Sequence, residues 1–347
     1  MKLHMSLIIL ATIATLFSSP AHATKARLQA LQGARFLTDT QLVFENPAQI
    51  MHLGNYVTYE LGGTTSSANP KSEGGLIKDF FGGKGGVYLG HMSLEQSTFR
   101  AANGFLLEEN PVELFWGMNN WAVSLGYSSS DKKTTAEKQQ TVVARFGIDT
   151  EVMEIWANAE FISKADNGND EYKGAPLLSV GGEMHMENDL YLNGKIQYGQ
   201  IENTITNVST DTDLLGAEVA FLDRSIKTED ASIYFGPQLR YVEAKVGSQK
   251  VSTFELPLYI GMDSKALSWL VTRASVSQNF IIGSTKDETA GAAPANESDT
   301  IGNNTTVATG IGINWNSLTL DATFAGSTTG QFNGNSILAN LALVYSF

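Results

Sequence analysis

Two histidines of this chain each lie two residues from a second chemically active side chain. His91 and Ser93 could form a base and a nucleophile, because a serine hydroxyl becomes reactive when a histidine accepts its proton and a third group orients that histidine. The alternating pattern around them predicts a strand over 85–95 with both side chains on its outward face. The sequence offers no third member for such a triad, so we expect no catalysis from this pair.

His185 and Glu183 form the second pair and share one face of a predicted strand. An imidazole and a carboxylate at this spacing could touch one metal ion. A single pair without further ligands favours an ordinary histidine, and the chain contains no cysteine, which excludes thiolate sites. We therefore expect no metal and no cofactor. The run Gly82–Gly86 around Lys84 lacks the GKS/T spacing of a phosphate loop, and we expect it to end an outer loop.

Charged residues recur at alternating positions of the predicted strands, which places them on one face of a sheet. These candidates are Glu60, Arg145, Glu154, Glu160, Glu183, His185, Lys195, Glu218, Arg240, Glu255, Arg273 and Asp321. An Arg or Lys facing the middle of a bilayer would cost about 2–4 kcal/mol, so an inner wall is where such residues belong. They could line an aqueous passage and set its ion preference, or pair with one another and fill the interior.

The first 23 residues predict export. Lys2 precedes an apolar stretch over 7–17, and Ala21-His22-Ala23 is a typical cleavage sequence. The mature chain would begin at Thr24. No later apolar run approaches the roughly 18 residues of a spanning helix, so a membrane could be crossed only by a closed barrel. The formal net charge of −13 argues against nucleic acid as a partner.

Period-2 alternation predicts the strands that such a barrel needs. In the last segment Leu341, Leu343, Tyr345 and Phe347 share one face, and Ala342 and Val344 lie on the other. Fourteen strands are predicted, with twelve to sixteen possible. Their spans are 51–62, 85–95, 120–129, 139–149, 152–163, 175–187, 189–201, 212–223, 230–245, 249–263, 267–282, 304–315, 317–327 and 336–347.

Loop lengths and aromatic positions favour a barrel over a soluble sandwich. Most connections alternate between short turns and longer polar loops, which include 202–211 and 283–303, as in outer-membrane barrels. Outward-facing aromatic residues fall near the two strand ends, where headgroups would lie. One group is Trp121, Phe221, Trp269, Trp315, Tyr345 and Phe347. The other is Tyr127, Phe161, Tyr198, Phe254, Phe280 and Phe324.

The chain thus divides into a signal peptide over 1–23, an N-terminal segment over 24–50 and a transmembrane barrel over 51–347. In the segment, Leu28, Leu31 and Ala34 have helical spacing within 25–37, which predicts a short helix inside or beneath the barrel; a mobile periplasmic tail is the alternative. A further short helix is predicted over 111–117, because Pro111 suits a first helical turn.

Just ahead of the barrel, the sequence Phe44-Glu45-Asn46-Pro47-Ala48 resembles the long-chain fatty-acid transporters of the outer membrane, the FadL-like family. Members carry an Asn-Pro-Ala element near the mature N-terminus, and Gly33 and Asp39 stand where the family has glycine and acidic positions. The resemblance implies fourteen strands, an N-terminal plug and uptake of hydrophobic compounds. It covers about residues 30–50, and Asn46-Pro47 could equally be a turn that enters the first strand.

We therefore expect an outer-membrane channel for passive uptake, either FadL-like for hydrophobic compounds or porin-like for small polar solutes, and not an enzyme. The alternatives are a lipid-facing hydrolase that uses His91 and Ser93, and a surface barrel without transport. The expected partners are outer-membrane lipids, a small-molecule solute and the barrel-assembly machinery, which would engage the C-terminal strand ending in Phe347.

Overall fold

The computed structural model describes residues 24–32, 39–62, 71–93, 100, 104–150, 152–246, 249–286, 305–327 and 340–347. The predicted signal peptide over 1–23 lies outside these residues, as do Gly33, Ala34 and most of the predicted outer loop over 283–303. None of the described helices is long and apolar enough to span a bilayer.

The described strands form one closed barrel in which each strand pairs antiparallel with its sequence neighbours, and the first strand pairs with the last. This confirms the predicted all-β antiparallel barrel. The strands are β1 (Tyr56–Gly62), β2 (Lys71–Phe80), β3 (Gly83–Leu89), β4 (Val112–Met118), β5 (Trp121–Lys132), β6 (Glu137–Asp149), β7 (Met153–Asp166), β8 (Glu171–Met186), β9 (Leu190–Ile205), β10 (Val208–Lys227), β11 (Ala231–Val246), β12 (Gln249–Leu267), β13 (Leu270–Lys286), β14 (Thr305–Trp315), β15 (Leu318–Ser327) and β16 (Asn340–Ser346).

The described strands of the barrel number sixteen, which is the upper limit of the predicted range of twelve to sixteen and two more than the favoured count of fourteen. The two additional strands are β2 and β4. β2 contains Gly74 and Gly75 and is rich in polar residues, which weakens the alternation signal. β4 follows directly after Pro111 and occupies the place of the predicted helix over 111–117, which is also wrong. Here the pairing of Val112 and Leu114 with β3 and β5 overrides the proline signal for a helix.

The connections differ at the two ends of the barrel. Both termini of the barrel lie at one end, where the turns are short throughout; we call it the short-turn end. Phe81 and Gly82 make one of these turns with positive φ angles, so the glycine run opens β3 and does not end an outer loop as predicted. At the other end, the predicted loop over 202–211 is instead the ends of β9 and β10 joined at 206–207.

The outer wall of the barrel is apolar. Alternate residues along the strands are exposed and large, among them Leu125 at 55%, Val180 at 56%, Ile196 at 63% and Ile260 at 61% exposure. In β16, Leu343 and Tyr345 are exposed, whereas Ala342 and Val344 are buried, as the alternation predicts. In a closed barrel the backbone hydrogen bonds are made between strands and need no water. A closed wall with an apolar exterior is therefore the exterior of a barrel embedded in lipid.

The N-terminal segment lies against the inner wall. Thr24 caps a helix α1 (Lys25–Ala30), shorter than the span of 25–37 predicted, by accepting a hydrogen bond from the Arg27 N–H. Two short 3₁₀ helices follow at Leu42–Phe44 and Pro47–Met51. α1 contacts β13–β16, and the second 3₁₀ helix contacts β3–β6.

Candidate functional site

The twelve charged residues predicted for the inner wall lie on the same face of their strands as the buried residues do. Seven have carboxylate or guanidinium groups that are nearly inaccessible: Glu60, Arg145, Glu154, Glu160, Glu183, Arg273 and Asp321. Of the other five, Arg240 is ion-paired with Glu255 at 3.6 Å. Glu218 accepts a hydrogen bond from Gln238 at 3.1 Å. The remaining two, His185 and Lys195, contact carboxylates.

Two opposed carboxylates on β1 and β2 hold the start of the N-terminal segment. Glu60 and Glu73 are directly paired in register, so their like charges need donors. The Gln41 amide donates to both at 2.9 Å. The Lys25 N–H donates to Glu60 at 3.0 Å, and the Lys25 ammonium is paired with Glu73. These charge-assisted bonds fix the segment to the wall at the first two strands.

A second set of bonds holds α1 to the last strands. The Thr24 hydroxyl donates to Asp321 at 3.0 Å, and Arg273 pairs with the same carboxylate at 2.7 Å. This ion pair joins β13 to β15 across β14, at the position of Gly312. A Cβ on Gly312 would lie 2.6 Å from Asp321 Oδ1 and 2.8 Å from an Arg273 nitrogen, so glycine is required for the pair to form. Arg27 adds a 2.9 Å ion pair with Asp263 on β12.

The Asn46-Pro47-Ala48 element forms the third attachment. The Asn46 side-chain oxygen caps the 3₁₀ helix by accepting the Ala48 N–H, and Pro47 occupies its first position. The Asn46 amide group donates to Glu154 on β7 at 2.9 Å. Asn46, Pro47 and Ala48 are all buried. The element therefore both starts a helix and binds the wall.

His91 and Ser93 do not lie on an outward-facing strand, so this prediction is wrong. β3 ends at Leu89, and both residues follow it on the lumen side, where Ser93 is buried and His91 is partly buried. The His91 ring stacks on Phe44 with centroids 3.3 Å apart, and its Nδ1 lies 3.3 Å from Glu73. The Ser93 hydroxyl donates to Glu160 at 3.1 Å. Neither side chain faces lipid, which removes the geometric basis for a lipid-facing hydrolase.

A cavity of about 450 Å³ lies between the N-terminal segment and the wall formed by β6–β9. Its apolar lining is Leu28, Leu42, Phe44, Val143 and Leu177. Its charged lining is Lys25, Glu45, Arg145, Glu160 and Lys195. Arg145 is paired with Glu113 and lies 6.0 Å above the Phe44 ring, and Lys195 lies 3.7 Å from Glu45. The cavity thus offers an aromatic and aliphatic side next to cations that are already partly neutralised.

A second cavity of about 690 Å³ lies at the short-turn end. Its walls include Arg27 of α1, the ion-paired Asp263 and Arg273, and the turn residues Trp269 and Asn316. Lys25 and Leu28 of the same helix line the first cavity. Helix α1 therefore contributes to the walls of both cavities.

The surroundings of Asp39 and His52 raise the pKa of both groups, each for a different reason. Asp39 is fully buried, and this burial raises its pKa to about 7, against the opposing effects of the Gln41 N–H and Arg27. A hydrogen bond from His52 to Asp149, 2.9 Å long, raises the pKa of His52. Protonation of both groups is therefore favoured by the position of the segment against the wall.

Several important residues were missed by sequence reasoning. Lys25, Gln41 and Phe44 make central contacts, yet nothing in their local pattern marks them. Gly147, Gly310 and Gly312 do carry a signal. They stand at inner positions of predicted strands, where a missing side chain indicates that something approaches closely. A Cβ on Gly310 would meet the Ala30 Cβ at 2.6 Å.

No protein-family model and no curated protein matches the chain. Among solved structures, the CymD monoaromatic hydrocarbon channel is 10% identical, with 94% of this chain and 98% of CymD covered and a TM-score of 0.46. The outer-membrane channel DcaP of Acinetobacter baumannii is 11% identical, with 85% and 96% covered and a TM-score of 0.43. A porin structure is 10% identical, with 84% and 99% covered and a TM-score of 0.43. These similarities are too low to carry an argument about function, and membership of the FadL-like family is not confirmed.

Proposed function

We propose that the protein is an outer-membrane channel for passive uptake of small solutes that combine an apolar part with a polar or charged group. The observation that carries the proposal is the cavity of about 450 Å³ inside a closed, lipid-facing barrel. A solute would move by diffusion, and the width and charge of the lumen would select it.

The N-terminal segment supports a narrow path rather than a wide pore. A sixteen-stranded wall can enclose an aqueous channel, but here α1 and the two 3₁₀ helices take up part of the lumen. Three attachments hold them, at Glu60 and Glu73, at Asp321, and at Glu154. The segment acts as a partial plug, and a solute passes between it and the wall of β6–β9.

The chemistry of the cavity supports the solute class. Phe44, Val143 and Leu177 offer contact to a ring or a short aliphatic chain. Arg145 and Lys195 stand on the same cavity and can meet a carboxylate or hydroxyl group. A small aromatic acid such as benzoate satisfies both sides at once, whereas a sugar of similar size satisfies only the polar side.

A pair of neighbouring leucines on β8 allows a matched test. Leu177 lines the cavity and is buried, whereas Leu178 is 42% exposed on the outer wall. In proteoliposomes, benzoate should enter faster than a pentose sugar. Leu177→Trp should fill the cavity and slow benzoate entry about tenfold, and Leu178→Trp should leave it unchanged. Equal rates of benzoate entry for the two variants, or no benzoate entry above that of protein-free vesicles, would contradict the proposal.

Planar-bilayer recordings add a second readout. A narrow, partly plugged lumen should give small single-channel currents. Large, stable conductance with free passage of sugars would instead identify a porin for polar solutes, and the solute class proposed here would be wrong.

A further inference from the structure

We propose that Glu154, Glu183 and His185 bind one divalent transition-metal cation on the inner wall near the short-turn end. His185 Nε2 lies 3.1 Å from Glu183 Oε1 and 3.7 Å from Glu154 Oε1. The three ligand atoms lie within 4.8 Å of one another. A cation between them would need only small side-chain movements to reach ligand distances of about 2.0–2.2 Å.

The strand pairing builds this arrangement. Glu154 on β7 stands directly opposite Glu183 on β8, and His185 follows on the same face of β8. Both carboxylates are buried, with exposures of 9% and 4%. Two buried acids side by side repel each other, so their positions are costly without a positive charge between them.

Each carboxylate is already oriented for such a role. Glu154 Oε2 accepts from the Asn46 amide at 2.9 Å, and Glu183 Oε2 accepts from the Asn193 amide at 3.4 Å. These bonds use the oxygens that point away from the histidine. The remaining oxygen of each carboxylate faces His185 Nε2. Outer hydrogen bonds that fix ligand carboxylates in this way are typical of metal sites.

A second, independent observation lies next to the ligands. Glu154, Glu183, Asn46, Gln49 and Asn193 line a small cavity of about 10 Å³, close to the volume that one water needs. Two of these lining residues, Gln49 and Asn193, are 4% and 2% exposed, and their side-chain oxygens Oε1 and Oδ1 are buried without a hydrogen-bond donor. A water molecule bound to the cation would supply such a donor.

The chemistry of the three ligand groups limits which metal ions the site can bind. One imidazole and two carboxylates suit Zn²⁺, Co²⁺ or Ni²⁺, whereas Ca²⁺ and Mg²⁺ prefer sites made of oxygen alone. The neighbouring Asp149, which is paired in register with Glu154, and its partner His52 add further negative charge and a second imidazole nearby.

Metal binding would also stabilise the N-terminal segment. The Asn46 amide is held by Glu154, so a cation that fixes this carboxylate fixes the attachment of the Asn-Pro-Ala element as well. This consequence does not depend on which solute the channel carries.

The test is a Zn²⁺ titration of the purified, folded barrel without a histidine tag, followed by calorimetry. We expect one Zn²⁺ per chain. His185→Gln and Glu183→Gln should each weaken binding by at least about tenfold, whereas Glu218→Gln, which changes an inner-wall carboxylate on β10, should not. Heat-modifiable gel migration shows that each variant is folded.

Two further measurements decide the location. With Co²⁺ as the probe, the visible absorption of the bound ion should report nitrogen and oxygen ligands, and it should be lost in His185→Gln but kept in His52→Gln. Absence of stoichiometric Zn²⁺ binding, equal binding by His185→Gln, or loss of the signal only in His52→Gln would each overturn the proposal.

Discussion

The side-chain oxygen of Asn46 occupies the place where a Cβ on Gly147 would stand. An ideal Cβ at that position lies 1.8 Å from Asn46 Oδ1 and 3.1 Å from the Ala48 nitrogen. The same oxygen accepts the Ala48 N–H at 3.1 Å, so it cannot move without loss of the cap. One glycine of β6 thus decides how closely the Asn-Pro-Ala element approaches the wall.

Gly147→Ala is therefore expected to displace the second 3₁₀ helix from the wall. Loss of the cap and of the bond to Glu154 should cost about 1–3 kcal/mol in the docking of the segment. Limited proteolysis within 39–53 should become faster, and single-channel current should rise.

The control for this variant is Gly216→Ala on β10, another inner strand position. There an added Cβ would meet only the Gln197 Cβ at 3.6 Å, an ordinary contact. If both variants resist protease as the unaltered protein does, the close approach has no importance for docking.

Asp321→Asn should destabilise the barrel itself. Asp321 is inaccessible and pairs with Arg273 at 2.7 Å, so the change removes the nearer carboxylate of a buried guanidinium, whose ion pair with Asp263 is longer at 3.7 Å. The free energy of unfolding in urea should fall by about 3 kcal/mol. Glu171→Gln removes an exposed partner of Lys173 and should cost under about 1 kcal/mol. Equal effects of the two changes would show that burial of the first pair is unimportant.

Docking of the segment should weaken as the pH rises. Burial raises the pKa of Asp39 from 3.8 to about 7. The undocked residue releases its proton at lower pH than the docked one, so stability is lost between about pH 4 and pH 7. Amide exchange of 39–53, corrected for intrinsic rates, should lose protection at least about tenfold across this window.

Asp39→Asn isolates this effect. Burial lowers the pKa of His91, and that histidine acts in the opposite direction because its charged form is disfavoured in the docked state. The variant retains His91 but loses the Asp39 titration. A pH profile that is the same in both proteins would assign the change to other groups.

Ser93→Ala should leave phospholipid hydrolysis at the level of protein-free vesicles, as should the unaltered barrel. The Ser93 hydroxyl donates to Glu160 and lies in the lumen, where an acyl chain of the bilayer does not reach it. Acyl release measured from labelled phospholipid would check this. A rate that depends on Ser93 would revive the hydrolase hypothesis.

The sequence predicted the repetitive part of the fold because each strand carries its own signal. From β5 to β16, alternation alone located each strand to within a few residues, since lipid on one side and the lumen on the other sort neighbouring side chains. β2 and β4 were not predicted because Gly74, Gly75 and Pro111 weaken or contradict the alternation signal. Pairing with neighbours, which is not local, determines these two strands.

The site was predictable only in part, for the same reason. The alternation indicates that Glu60 and Glu154 face inward, but not that Gln41 and Asn46 bind them. Those contacts join residues far apart in the chain and depend on the closed shape of the wall. For His91 the error was the opposite one, a strand predicted too long. The alternation of apolar and polar residues continues in the sequence past Leu89, but β3 ends there.

The bonds of the N-terminal segment span the junction between the first and last strands. Lys25 binds Glu60 on β1, while Thr24 binds Asp321 on β15 and Gln29 binds Asn340 on β16. The complete set of wall residues that binds the segment comes together only once β1 and β16 have paired. The N-terminal segment is synthesised before every strand, yet it can dock completely only after the last strand has paired, so its docking becomes the final step of assembly.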